Sequence, residues 1–287
     1  MAGMDFQKVV QGIGSLGLNI FDFALFDGNE VFTYKFQPCN RCNNSYSVAK
    51  AFVITALGIL WDEGRFRVTD PVIKYFPEEL PKSLDPKWRL VTVEHVITHC
   101  IGLDIGFLDI DTDDIKAYPT DDYLHLVLAH PLAYMPGQHS QYSDAAYYLL
   151  SRLVTKLSGE KLDTFLWKRL LYPMQFTEVA WSRCPREYPI GATGLYISTE
   201  DMLKLGMLYL NDGFYQGVRY ISHQWVEMVF SRNYELHPMS VNGLIGKGGM
   251  YGQAIVIHRG NRFAAAWHGH VENGSSNKEI ISLLDMI

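Results

Sequence analysis

The chain has 287 residues, of which 48% are hydrophobic and 20% are charged, and its formal net charge is −6. These values are ordinary for a soluble globular protein, and the length suits one large catalytic unit. An acidic chain with no basic cluster disfavours nucleic acid or an anionic membrane as the main partner. The first residues lack the pattern of a secretory leader, and no apolar run approaches about 18 residues. We therefore expect a cytoplasmic protein without a membrane span, unless a leader precedes this start.

The N-terminal part of the chain predicts a hairpin. Residues 16–26 and 30–36 are rich in β-branched and aromatic side chains, which favour strands. The tripeptide Asp27-Gly28-Asn29 between them is typical of a tight turn. No repeat, low-complexity tract or Pro/Ser-rich linker follows, so the sequence favours a single folded unit.

A helix is predicted to begin near Ser45 or Tyr46 and to end at Gly64. Its apolar side chains recur at steps of three and four, which indicates one buried helix face. They are Ala49, Phe52, Val53, Ala56, Leu57 and Leu60. Ser47 would then lie in the first turn, where backbone N–H groups have no partner within the helix.

The middle of the chain is predicted to be mainly helical and its end to return to strands. The predicted helices are 92–99, 121–130, 144–158 and 200–211. The predicted strands are 251–258, 262–267 and 279–284. Strands at both ends around a helical middle indicate an α+β fold, in which the terminal strands share one antiparallel sheet.

Ser47 and Lys50 are the first candidate catalytic pair. Residues i and i+3 share a helix face, so the lysine amine can reach the serine hydroxyl. A serine hydroxyl becomes a good nucleophile only when a nearby base takes its proton, and lysine is a base only in its neutral form. N–H groups at the helix N-terminus can stabilise a developing oxyanion. The pattern S-x-x-K is short, however, and by itself arises often by chance.

Two further segments carry candidate site residues. Residues 136–144 read as a turn that enters a helix, which would leave the Tyr142 phenol on a loop where it could shuttle a proton. Residues 267–272, Trp-His-Gly-His-Val-Glu, close a predicted strand. Taken singly, an aromatic residue before a helix is more often packing, and histidines at a strand end are more often surface groups.

Together, and in this order, the three segments resemble the motifs of class C β-lactamases and the related esterases and D-amino-acid peptidases. Those motifs are S-x-x-K on a helix, Y-x-N on a loop and K/H-x-G on a strand. Residues 60–72, 91–103 and 194–202 resemble further segments of the same family, so that the likeness extends over roughly residues 10–285.

The resemblance implies a β-lactamase/transpeptidase-like fold in one catalytic domain, 1–287. Its sheet lobe would comprise approximately residues 1–65 and 190–287, with helices packed on the sheet, and the inserted helical lobe approximately 66–189. Ser47 would be the acylated nucleophile, and Lys50 and Tyr142 would share the proton transfer. His270 would lie on the strand lining the site, with Gly269. The resemblance implies no cofactor and no metal. It leaves open which backbone N–H is the second hydrogen-bond donor to the oxyanion, beside that of the nucleophile, and it leaves the oligomeric state open.

Several positions depart from the family pattern. Asp144 stands where the second motif has Asn, which would add a carboxylate beside Lys50 or Tyr142. Glu272 stands at the Gly position if His270 begins the third motif, whereas a register beginning at His268 puts His270 there. The chain also shows no sign, after its last predicted strand, of the C-terminal helix that normally packs on the sheet.

The expected substrate is a small ester or a short peptide-like amide rather than a β-lactam. The carboxylate of a penicillin or cephalosporin would meet like-charge repulsion from Glu272. A true β-lactamase remains an alternative. So does a catalytically weakened binding protein of the same fold, which Asp144 and Glu272 would favour.

A zinc hydrolase is a further alternative, because His95 and His99 stand at i and i+4 and two histidines close the third segment. His-Val-Ile-Thr-His lacks the glutamate of H-E-x-x-H, however. Cys39 and Cys42 form a C-x-x-C that could be redox-active or bind metal. It has no second C-x-x-C and no thioredoxin-like context, so two loop thiols are the simpler interpretation.

Overall fold

The computed structural model describes residues 5–272 and 276–286. Its helices are α1 (Phe6–Ser15), α2 (Ala49–Asp62), α3 (Val93–Ile97), α4 (Tyr123–Ala129), α5 (Asp144–Ser158), α6 (Leu162–Leu166), α7 (Thr199–Leu210), α8 (His223–Ser231) and α9 (Ser276–Leu284). Its longer strands are β1 (Ile20–Phe26), β2 (Val31–Lys35), β9 (Leu244–Gly248), β10 (Ala254–His258) and β11 (Phe263–Gly269). Two-residue strands are β3 (Asn43–Asn44), β4 (Ala180–Trp181), β6 (Phe214–Tyr215), β7 (Val218–Arg219) and β8 (His237–Pro238), and β5 (Leu195–Ile197) has three residues.

One six-stranded antiparallel sheet joins the two ends of the chain. Its strand order is β2-β1-β11-β10-β9-β8. The hairpin between β1 and β2 forms where the sequence predicted it, and the backbone N–H groups of Asn29 and Glu30 both donate to the Asp27 carboxylate at 2.9 Å. The predicted α+β fold with N- and C-terminal strands in one sheet is therefore confirmed.

Helices cover both faces of this sheet. On one face, α1 and α9 pack over alternate strand residues, and this core includes Val9, Ile13, Phe23, Val256, Trp267, Ile280 and Leu284. On the other face α7 lies against β1, β10 and β11. A β-carbon added at Gly206 would lie only 3.2 Å from the Cβ of Ala264, so glycine allows α7 to approach the sheet closely.

The prediction of a strand at 279–284 is wrong, because this segment lies within α9. A short apolar run cannot be assigned to strand or helix by its composition, and packing decides the matter. Ile280 and Leu284 stand four residues apart and are both buried on one helix face. The expectation that the chain lacks a C-terminal helix on the sheet is wrong for the same reason.

Other boundaries differ more modestly. A 3₁₀ turn, Tyr46–Val48, precedes α2, so the α-helix itself begins two residues after Ser47. The predicted strand 251–258 begins only at Ala254, after a 3₁₀ turn over Met250–Gly252. Helices α1, α6 and α8 and strand β9 were not predicted. Strand β9 has the sequence Leu-Ile-Gly-Lys-Gly, and its glycines weaken any strand signal.

The chain divides into two compact units. The first comprises Met1–Ala51, Tyr172–Ala180 and Leu195–Ile287 and contains the sheet. The second comprises Phe52–Leu171 and Trp181–Gly194, and in it α5 packs against α3, α4 and α6. The sequence placed the corresponding boundaries near residues 65 and 190. Across the described ranges, no helix is long and apolar enough to span a bilayer.

Candidate active site

Ser47 lies in a tight turn at the N-terminal end of α2. Strand β3, just before this turn, pairs with β5, and the Ser45 N–H donates to the Leu195 carbonyl at 2.8 Å. The Tyr46 N–H donates to the Asn44 side chain at 2.9 Å, and Tyr46 has a φ of 47°. These bonds fix the backbone on the approach to Ser47, so the hydroxyl is presented from an ordered turn.

Lys50 reaches the Ser47 hydroxyl as the helical spacing predicted. Its Nζ donates to Ser47 Oγ at 3.2 Å. The Lys50 side chain is fully buried, whereas Ser47 is half-buried. Lysine is almost never buried completely unless its amine has polar partners, so this position indicates a structural or chemical requirement for the amine.

Strand β9 packs against the Ser47 turn, and Gly249, the residue that follows β9, allows the close approach. A β-carbon added at Gly249 would lie 2.5 Å from the Ser45 carbonyl oxygen and 3.2 Å from the Cβ of Tyr46. The Gly249 N–H donates to the Gln253 carbonyl at 2.7 Å, which turns the chain from β9 into β10. Sequence reasoning missed this strand, although the Gly248-Gly249 pair was a signal of close backbone approach.

The two histidines of the third segment have different environments. His268 lies in β11, is fully buried and faces α7, where its Nδ1 is 2.6 Å from Thr199 Oγ1. The Thr199 hydroxyl also donates to Asp22 at 2.5 Å. Burial lowers the pKa of His268 to about 3, so its imidazole is neutral near pH 7. His268 is therefore part of the packing between the sheet and α7.

His270 follows the last residue of β11, so it does not lie on a strand as the sequence suggested. Its backbone exchanges hydrogen bonds with Asn19, and its exposed ring stacks on Tyr251 at 4.3 Å between centroids. The Tyr251 ring in turn meets the Tyr46 ring edge-on at 5.3 Å. The structure thus connects His270, through one ring, to the residue that precedes Ser47.

Gly269 is required by close packing rather than by a contact with the Ser47 turn. A β-carbon there would lie 2.8 Å from the Asn19 carbonyl oxygen. The Gly269 carbonyl accepts a bond from Gln253 Nε2 at 2.5 Å. Glu272 is exposed.

In the second unit, Tyr142 lies on the loop before α5 with 47% of its surface exposed. Its ring packs against His99, with centroids 4.5 Å apart. The His99 carbonyl accepts the Gln141 N–H at 2.9 Å, and its Nδ1 accepts the Ser143 N–H at 3.3 Å. His99 therefore positions the loop that carries the phenol.

Asp144 is the first residue of α5 and is nearly buried, with 7% of its surface exposed. The N-cap of α5 is Ser143, and the Ser143 hydroxyl accepts the Phe107 N–H at 3.2 Å. A carboxylate in the first turn interacts favourably with the positive end of the helix dipole. Asp144 is thus directly beside the Tyr142 loop in sequence and well placed in its helix.

The candidate zinc ligands have other roles in the structure. His95 accepts the Thr92 N–H through Nδ1 as part of the α3 cap, and His99 holds the Tyr142 loop. Within residues 5–272 and 276–286, the one cluster with metal-ligand geometry is Asp212, His223 and Glu227. Arg259 already forms ion pairs with both of its carboxylates.

The C-x-x-C pair consists of two protonated thiols. Burial raises the pKa of Cys39, and burial together with the Glu178 carboxylate raises the pKa of Cys42 to about 11. Cys42 Sγ donates to Glu178 at 3.6 Å. Because the thiolate is the reactive form, neither sulfur has the character of a redox-active cysteine.

Comparison with known proteins yields a consistent set of relatives. Esterase EstB of Burkholderia gladioli is 30% identical over 127 residues, which are 40% of this chain and 32% of the esterase. The 6-aminohexanoate-dimer hydrolase of Paenarthrobacter ureafaciens is 27% identical over 229 residues, 73% of this chain and 56% of that protein. The chain thus spans between about a third and just over half of these relatives' length.

A solved structure shares the fold across nearly its entire length. A penicillin-binding protein homologue from Caulobacter crescentus superposes with a TM-score of 0.76 at 16% identity, covering 97% of this chain and 96% of that one. The family model described as Beta-lactamase matches residues 44–279, which include Ser47, Lys50, Tyr142 and His270. The chain belongs to the Beta-lactamase family of hydrolases.

Proposed function

We propose that this protein is a serine hydrolase that forms an acyl-enzyme at Ser47 and acts on small uncharged esters or short peptide-like amides. The observation that carries the proposal is the contact between Lys50 Nζ and Ser47 Oγ, 3.2 Å long, with the lysine fully buried at the start of α2. Covalent catalysis by a serine requires a base within hydrogen-bond distance of its hydroxyl group.

In the proposed reaction, Lys50 in its neutral form accepts the proton of Ser47 while Oγ attacks the substrate carbonyl carbon. The tetrahedral oxyanion is stabilised by N–H groups, of which the Ser47 N–H at the helix N-terminus is one. Collapse expels the alcohol or amine, which takes a proton from Lys50 or Tyr142. A water molecule then repeats the attack on the serine ester and releases the acid.

Tyr142 is proposed as the second proton carrier. Its phenol is half-exposed on a loop held by His99, and the family resemblance assigns it this role. A positioned acid–base group contributes about 10²–10⁴ in rate.

The proposed substrate class rests on charge and on the relatives. The chain has a net charge of −6, and the exposed Glu272 lies two residues beyond His270. A substrate carboxylate near this end of β11 would be repelled, whereas a neutral ester or amide would not. One relative is named an esterase and another hydrolyses a 6-aminohexanoate dimer by name.

Intact-mass spectrometry after treatment with a fluorophosphonate tests the nucleophile. One adduct is expected on the wild-type protein and none on Ser47→Ala. Ser45→Ala is the matched control, because this neighbouring hydroxyl is buried without a hydrogen-bond partner among the described residues. Labelling that persists in Ser47→Ala refutes the assignment, and a wild-type protein that never labels is a binding protein of this fold.

A second experiment tests the substrate class. The ratio of kcat/KM for a p-nitrophenyl acyl ester and a chromogenic cephalosporin is expected to favour the ester. A cephalosporin value equal to or above that of the ester makes the protein a β-lactamase instead.

A further inference from the structure

Three aromatic rings adjoin one another next to the nucleophile. Tyr46 directly precedes Ser47, its ring meets Tyr251 edge-on at 5.3 Å with an interplanar angle of 70°, and Tyr251 stacks on His270 at 4.3 Å and 17°. We call these residues the aromatic cluster. Tyr46 and Tyr251 are half-buried and His270 is exposed, so the cluster is a surface and not part of the core.

The backbone at two of these residues is strained. Tyr46 has a φ of 47° and Tyr251 a φ of 62°, a region that residues with a β-carbon adopt at a cost in free energy. Hydrogen bonds hold both: the Tyr46 N–H donates to Asn44 Oδ1, and the Tyr251 carbonyl accepts the Val271 N–H at 3.0 Å.

The rings of Tyr46 and Tyr251 are only half-buried, so part of each ring remains accessible to a ligand. Residues held in sparsely populated φ/ψ regions cluster at active sites and ligand-binding sites. Here the strain directs two phenol rings to one place beside the Ser47 turn.

The chemistry of the cluster favours an aromatic ligand. Ring faces attract other rings in offset or edge-to-face arrangements, beyond the effect of buried area alone. Both phenols and the imidazole also keep polar edges that can remain in water. The carboxylate of Glu272, two residues after His270, disfavours an aryl group that carries a negative charge.

We propose that Tyr46, Tyr251 and His270 form a subsite that binds an uncharged aryl group of the substrate beside Ser47. This inference rests on the serine-hydrolase function proposed above and narrows its substrates to aryl-bearing esters or amides. The aryl group can belong to the acyl part or to the alcohol part of an ester, and the experiment separates the two.

The test compares substrates that differ only in aromaticity. In the acyl arm, kcat/KM is measured for ethyl phenylacetate and ethyl cyclohexylacetate. In the alcohol arm, the pair is benzyl acetate and cyclohexylmethyl acetate. Acid release is followed by titration at constant pH. The wild-type protein is expected to prefer the aromatic member of one pair by about 3- to 10-fold, the range that aromatic pairing supplies.

Substitutions in the aromatic cluster, with one control outside it, locate the preference. Tyr251→Leu removes the central ring and is expected to abolish the aromatic preference, whereas Tyr251→Phe keeps the ring and the preference. Tyr34→Leu is the control, because Tyr34 is a 42% exposed aromatic residue on β2 that pairs with Phe36 and should not affect the ratio. Fluorophosphonate labelling of Ser47 verifies that each variant is folded, and His270→Leu replaces Tyr251→Leu if that protein does not fold.

The outcomes distinguish failure of the aryl subsite from failure of the proposed serine-hydrolase function. Ester turnover with equal rates for both members of each pair overturns the aryl subsite and leaves the serine hydrolase intact. An aromatic preference that survives Tyr251→Leu, or survives His270→Leu where that variant replaces it, overturns the aryl subsite as well. Absence of both Ser47 labelling and turnover in the wild-type protein refutes the proposed hydrolase itself.

Discussion

The buried imidazole of His268 should make the stability of this protein depend on pH. The Thr199 hydroxyl donates its hydrogen to Asp22, so it accepts a hydrogen bond from His268, which places the ring proton on Nδ1. The other nitrogen, Nε2, is buried without a hydrogen-bond partner among the described residues. A second proton on this ring would therefore enter an apolar site with no acceptor.

The size of the effect follows from linkage. Burial lowers the pKa of His268 from 6.5 to about 3, so between these pH values the unfolded chain binds a proton that the folded protein does not. The free energy of unfolding then falls as the pH is lowered. For one such group the loss between pH 7 and pH 5 is about 2 kcal/mol, against a typical total stability of about 5–15 kcal/mol. Burial raises the pKa of Asp22, which contributes with the opposite sign.

Urea denaturation at pH 7 and pH 5 measures this difference in the wild-type protein and in His268→Asn. An asparagine amide can still donate to Thr199, so the Asp22 contribution is shared by both proteins. We expect the pH-dependent loss of unfolding free energy to be smaller by about 2 kcal/mol in the variant. His125→Asn, at an exposed position on α4, is the control for the substitution itself. Equal losses in the wild-type protein and His268→Asn would show that His268 titrates alike in both states.

Three other predictions concern the catalytic groups and the sheet. Lys50→Ala and Tyr142→Phe should each lower kcat/KM by about 10²–10⁴. The two losses should not add in the double variant, because the groups act together. Full activity in Tyr142→Phe refutes the role of the phenol. Asp144→Asn introduces the residue that the family has in its second motif and should raise kcat/KM if the carboxylate hinders catalysis; an unchanged kcat/KM makes Asp144 a helix-terminal residue only. Glu235→Gln removes the buried carboxylate that pairs with Lys247 on β9 and should lower the unfolding free energy, measured by urea denaturation, by about 3–5 kcal/mol. A loss below about 1 kcal/mol would show that the folded protein does not need this carboxylate to compensate the Lys247 charge.

Local patterns were sufficient for helix α5 and for the contact between Ser47 and Lys50. The predicted helix 144–158 agrees with α5 at both ends, because its apolar period is regular and Gly159 closes it with a φ of 76°. The contact of Ser47 with Lys50 was likewise predictable, since three residues along a helix determine it.

Short apolar runs and glycine-rich strands were not predictable in this way. The run at 279–284 contains two isoleucines that suit a strand, yet α9 forms because Ile280 and Leu284 then face the same core as α1. Strand β9 is defined by its pairing with β10, from Gly248 opposite Ala254 to Leu244 opposite His258. The packing of α9 and the pairing of β9 both depend on distant parts of the chain, so neither can be predicted from its own segment.

The sequence alone determined the fold class and the local geometry of Ser47 and Lys50, because these depend on hydrophobic period and on neighbours within one helical turn. It indicated the family through the resemblance of its ordered motifs. The tertiary structure decided the surroundings of the Ser47 turn and of the two histidines at the end of β11. It put Gly249 against the Ser45 carbonyl, buried His268 against α7, and left His270 exposed beyond β11. These positions depend on which strands pair and in which register, and a shift of one residue would exchange the two faces of β11. That register is set by β1, some 240 residues earlier in the chain, where Phe23 pairs with Trp267.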